Sequence, residues 1–186
     1  MQLINRLNAI QPLSTEVRDK MISFVRTINL DTGEDWQQNG YESGVALITK
    51  GILKRIQNGP AGSTRIVRFF RERRLFITFG CSDPDSPDLR PMIAIEPTHL
   101  EFIAEEDLKW LYRCDPAYNR IGLIITLRGI ADSDMAYNLW RMSPKYRLPE
   151  ILKHHSWMLG RVPREVLAEY LQISMEELNS VVPAPA

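Results

Sequence analysis

The sequence predicts an α+β protein: a closed or doubled antiparallel sheet, one long connecting helix, and a compact helical tail. Three observations carry this. Short β-type runs separated by turn residues recur between residues 24 and 103, the pattern of a sandwich or barrel. From Ile121 on, Ile124, Ile125, Arg128, Ala131, Met135, Leu139 and Met142 recur at helical spacing, with no proline before Pro144. The chain beyond Pro144 reads as short helices.

Taken in order, Leu3, Leu7 and Ile10 share one helical face, and Pro12 ends that helix. Ser14 caps a second helix carrying Val17, Met21 and Ile22. Strands are expected at 24–30, 45–48 and 52–56, with Gly51 as a bend between the last two. The turn signal at 58–62 makes 64–70 the returning arm of a hairpin. Residues 75–79 read as β, and 81–88 as a polar, proline-rich loop. Residues 92–95 and 99–103 complete the strands across the turn Glu96-Pro97-Thr98. Asp115-Pro116 reads as the start of the long helix, which at about 1.5 Å per residue would run roughly 40 Å.

Composition narrows the function classes. The 186 residues are 44% hydrophobic and 25% charged with zero net charge, so no whole-protein field draws nucleic acid or anionic membrane. Cys81 and Cys114 form no CxxC pair, which points to a reducing cytoplasm. No leader-like start and no run of about 18 apolar residues is expected to act as a signal or span. His99 reads as structural, and His154-His155 lack carboxylate or cysteine partners at ligand spacing, so neither a metal nor another cofactor is expected. No nucleophile–base–acid set or paired carboxylates stand out, so no enzyme is expected.

The text resembles the Crp/Fnr family of transcription regulators over nearly the whole chain. Leu47-Ile48-Thr49-Lys50-Gly51-Ile52-Leu53-Lys54 is similar to the strand–glycine–strand core of that family's roll, and Arg68-Phe69-Phe70-Arg71-Glu72 to the approach to its ligand cassette. The stretch 94–108 is similar to its last strands and short helix, and 162–174 to the first helix and turn of its helix-turn-helix. The resemblance implies a jelly-roll-like double-stranded β-helix of the cyclic-nucleotide-binding type at 1–114, a connecting and dimerisation helix at 115–142, and a truncated helix-turn-helix-like unit at 143–186. It implies a cytoplasmic homodimer paired through Ile121, Ile124, Ile125, Arg128, Ala131 and Met135.

The departures from the family pattern define the sites. Nucleotide-binding members carry a glycine–glutamate pair where this chain has Ile77-Thr78, and Arg90 is followed by Pro91, which has no amide donor. No response to cyclic nucleotide is therefore expected. No cysteine precedes Cys81, which excludes the N-terminal cluster of Fnr-like members. Arg68, Phe70, Arg73, Arg74, Phe79 and Arg90 remain as a pocket for an unidentified small-molecule effector, against the plainer reading of its arginines as solvated strand charges. Between Arg141 and Arg164 six Lys or Arg face one acid, whereas 165–186 holds four glutamates and no Lys or Arg. Phosphate contacts would fall to Lys145, Arg147, Arg161 and Arg164, and base contacts to Ser174, Met175 and Asn179. The expectation is a regulator whose DNA binding is weak, or a relative that binds an effector or protein and has lost specific DNA recognition.

Overall fold

Local chemistry sets the first elements. Leu3, Ile4 and Leu7 form one buried face of α1 (Gln2–Ile10). The Ser14 hydroxyl accepts from the Val17 amide to cap α2 (Thr15–Phe24). The computed structural model describes residues 1–36, 42–58, 63–78 and 91–182, without the side chains of 58 and 133–136. The strands are β1 (Arg26–Leu30), β2 (Gly44–Lys50), β3 (Ile52–Asn58), β4 (Thr64–Arg71), β5 (Leu75–Thr78), β6 (Met92–Ala94) and β7 (Thr98–Ala104). They form two antiparallel sheets, ordered β1-β7-β2-β5 and β4-β3-β6. Trp36, Phe70, Phe76 and Phe102 belong to the core between them.

Gly51 makes the step from β2 to β3. Its φ is +100°, and a Cβ there would lie 2.4 Å from the Thr98 hydroxyl oxygen, so only glycine fits. The β3–β4 hairpin carries a bulge: Arg55 pairs with Arg68 but Ile56 with Ile66, leaving Val67 as the extra residue. Because side chains alternate along a strand, the extra residue changes which face each one takes. Arg68 and Phe70 keep to one face, while Ile66 joins the C-terminal cluster.

The sheets lead into α3 (Glu105–Cys114) and a 3₁₀ turn at Pro116–Tyr118. Asp115 caps that turn, accepting from the Ala117 amide, and not the long helix. The long helix, α4 (Asn119–Arg141), follows directly. Its first half packs Ile121 and Ile125 into a cluster with Leu3, Leu7, Leu47 and Ile103, on the outer face of the four-stranded sheet. The tail forms α5 (Pro144–His154), α6 (Trp157–Arg161), α7 (Arg164–Leu171) and α8 (Met175–Val181). Leu148, Ile151, Leu167, Leu171 and Leu178 make its core, closed on the roll side by Ile66, Phe69 and Ile95. Among the described residues, no helix is long and apolar enough to cross a membrane.

The residues expected to pair along the long helix do not share one surface within the chain. Ile121 and Ile125 are buried against the roll, whereas Leu123, Leu127, Ile130 and Tyr137 are each more than half exposed. Both stripes have helical spacing, and the sequence does not say which one the roll covers. Ile124 is half-buried, Arg128 and Ala131 are exposed, and the Met135 side chain lies outside the described set.

Candidate functional site

The bulge in β4 brings the arginines together. Arg55 and Arg68, cross-strand partners, place their guanidinium carbons 4.9 and 4.5 Å from the Phe70 ring centroid. Arg55 donates to the Ile77 carbonyl at 3.2 Å, tying β3 to β5. Arg68 reaches the middle of α4, pairing with the Asp132 carboxylate and donating to the Gly129 carbonyl at 3.3 Å. Arg74 shares Asp132 at 3.5 Å. Burial pulls the Arg68 guanidinium below its ordinary range, while Asp132 opposes the shift.

Beside this pair the roll, α4 and the tail enclose a cleft of about 170 Å³. Arg71 lies 4.9 Å from the Trp157 ring centroid, and Phe69 stands edge-on to Tyr170 at 5.0 Å. Burial, then the charges of His154, Arg71 and Arg74, hold His155 below its ordinary value. Burial pushes the Tyr170 phenol up to about 12. His154 bonds Glu150 one helical turn away at 3.4 Å. Among the described residues, no three His, Cys, Asp or Glu gather as metal ligands would.

A second polar joint sits at the turn after β4. Glu72 accepts the Gly51 amide at 3.0 Å and two bonds from Arg161, at 2.8 and 2.7 Å. Arg161 also pairs with Glu96. The Arg161 hydrogen bond lowers the Glu72 carboxyl to about 2, and the same contacts raise Arg161.

In the tail, α7 ends at Gln172, whose φ of 53° and ψ of 48° are left-handed. Glycine takes this conformation most easily, and here it is held by a residue that carries a Cβ. Gln172 is held there partly by Arg147, which donates to its side-chain oxygen at 3.2 Å. Ser174 then caps α8, and Glu177 returns the bond to the Ser174 amide, a capping box.

No protein-family model matches this sequence, and no curated protein matches it either. Solved structures do. FixK2 from Bradyrhizobium japonicum superposes with a TM-score of 0.66 at 15% identity, over 85% of this chain and 82% of that one. A transcriptional regulator assigned to the Crp/Fnr family of Eubacterium rectale gives 0.65 at 14% identity, over 90% and 81%. A cyclic nucleotide-binding domain containing protein from Listeria monocytogenes gives 0.65 at 14%, over 97% and 88%. The fold is that of the Crp/Fnr regulators.

On the Crp/Fnr fold the expected residues separate. Arg68, Phe70 and Arg74 line the cleft or its rim, whereas Arg73 is an exposed turn residue with φ 64°. Phe79 and Arg90 lie outside the described residues. Arg147 needs correction as a phosphate contact. It is buried, donating to the Leu171, Trp140 and Met142 carbonyls at 2.7, 3.0 and 3.1 Å, where it ties α5 to α7. Arg161 is engaged with Glu72 and Glu96, and Arg164 donates to the Asn179 side chain at 2.6 Å. Ser174 is occupied as a cap, Met175 is half-buried, and Lys145 is exposed beside Tyr146. Sequence reading passed over Arg55, Asp132 and Trp157. A signal existed for Arg55, which faces Arg68 across a hairpin that was legible.

Proposed function

We propose that the chain is a homodimeric regulator built on the Crp/Fnr fold, with a helix-turn-helix that binds DNA weakly and with little sequence preference. The observation that carries this reading is the α7–α8 pair. It keeps a buried apolar set and a capped second helix, yet its first turn presents Glu176 and Glu177, and the helix holds no basic residue. Phosphate neutralisation supplies most non-specific affinity, and acids on the inserted helix oppose it. Of the four cations expected at phosphates, three are engaged within the chain, while Lys145 stays at the surface.

The dimer in this reading forms about a two-fold axis along Leu123, Leu127, Ile130 and Tyr137, whose spacings of four, three and seven suit a helix pair. The roll in this reading does not respond to cyclic AMP or GMP. Ile77-Thr78 replaces the glycine–glutamate pair, and the Thr78 hydroxyl donates to the Glu42 carbonyl at 3.1 Å.

Fluorescence anisotropy against palindromic and scrambled duplexes in rising salt tests the reading. The expected result is a salt-sensitive complex with little difference between sequences. A tight complex on one palindrome at physiological salt overturns the weak-binding reading. No complex even at about 50 mM salt favours a protein-binding module instead. That second reading is supported by the Arg161 joint, which holds the tail against the roll.

A further inference from the structure

We propose that the cleft between β4, α4 and the tail is a binding site for a small phosphoryl dianion, free phosphate or a compact phosphomonoester. The site lies outside the interior of the roll and does not depend on the DNA reading above.

Charge is the first argument. Among the described residues, Arg68, Arg71 and Arg74 line the cleft together with a single carboxylate, Asp132. Asp132 already serves both Arg68 and Arg74, and Arg71 is turned onto the Trp157 ring rather than onto an acid. Three guanidiniums facing one carboxylate leave a positive field inside a partly closed space, where charge interactions are screened less than at an open surface. Guanidinium forks match phosphate oxygens in pairs, so Arg71 and Arg74 suit a dianion better than a single carboxylate. His155 is depressed mainly by burial and then by His154, with Arg71 and Arg74 adding to the shift and Glu150 opposing it.

Size is the second argument. The cleft measures about 170 Å³, below the roughly 300–1,000 Å³ of pockets that hold drug-sized ligands. A phosphate or a short monoester suits that space. Position is the third. Arg68, Arg71 and Arg74 come from the roll, Asp132 from the long helix, and His155 and Trp157 from the tail. An anion held among them draws the roll and the tail together.

Isothermal calorimetry with inorganic phosphate, and separately with phenyl phosphate, at constant ionic strength set by chloride tests this. Trp157 emission, isolated by difference from Trp157→Phe, reports whether binding is local. The expected result is saturable binding of at least one probe below about 10 mM, with a change at Trp157. Arg71→Gln/Arg74→Gln should weaken it about tenfold or more, whereas Lys109→Gln, an exposed charge change on α3, should leave it unchanged. Tighter binding of phenyl phosphate would assign a monoester, and tighter binding of phosphate the free ion. Arg71 and Arg74 are exposed at the cleft mouth, so circular dichroism of the double variant should match the parent, and Arg71→Gln alone serves if it does not. Absence of saturable binding by either probe overturns the proposal. So does binding that persists unchanged in the folded arginine variants. The titration contains no DNA, so its failure is separate from failure of the regulator reading.

Discussion

The two halves of the long helix meet the rest of the molecule by different chemistry. The first half buries Ile121 and Ile125 among α1 and the four-stranded sheet. The second half and the tail meet the roll partly through Ile66, Phe69 and Ile95, but also through Arg68–Asp132, Arg74–Asp132 and Arg161 with Glu72 and Glu96. Apolar burial is non-directional and largely indifferent to salt, so the first joint is firm. Ion pairs at partly exposed positions are screened and compete with other ions. One helix therefore has a fixed end and an adjustable end.

The largest effect should come from the firm joint. Ile121→Ala removes a fully buried side chain, and its cost is expected at about 2–5 kcal/mol. Urea unfolding should show a lower midpoint at unchanged slope. A cost under about 1 kcal/mol would mean that α4 is not anchored there.

Arg147→Met comes next. It leaves the carbonyls of Leu171, Trp140 and Met142 without their guanidinium donor, at about 1–3 kcal/mol. Hydrogen exchange should speed up in α5 and α7 and stay slow in the roll. Uniform loosening of the whole chain would contradict a separate tail core.

Arg161→Gln should cost only about 0–1 kcal/mol at neutral pH, and less in high salt. Its signature is pH dependence. The Glu72 carboxyl sits at about 2 in the folded chain against an ordinary 4.5, so the pair contributes fully above about pH 4.5. That contribution falls as pH drops through this window and is gone below about 2. The difference in Tm between parent and variant should shrink over the same range, and a constant difference would assign the shift to another group.

The smallest effect on chain stability belongs to Leu123→Glu/Leu127→Glu, within about 0.5 kcal/mol for each exposed position. Sedimentation should nevertheless turn a dimer into a monomer. A parent already monomeric at micromolar concentration would remove the dimer from the proposed function.

Much of the architecture is written in local signals. The Ser14 cap, the Gly51 step, the hairpin returning at Thr64, the long unbroken helical period and the Ser174 capping box each depend on a few neighbouring residues. Such signals survive without knowledge of the fold. The sites were less legible, because they depend on which face meets what. Arg147 reads as a surface cation until α7 supplies carbonyls around it, and Arg161 until the turn after β4 brings Glu72 to it. Ile121 and Leu123 are equally apolar in sequence, and only the roll decides which one is covered. A single extra residue, Val67, divides Ile66 and Arg68 between the tail core and the cleft. Periodicity fixes the type of an element, whereas burial and pairing come from contacts between residues far apart in the chain, such as Arg161 and Glu72, 89 positions from each other. The sequence by itself therefore determined the helices, strands and turns, and the tertiary structure alone decided which charges are free to meet a ligand.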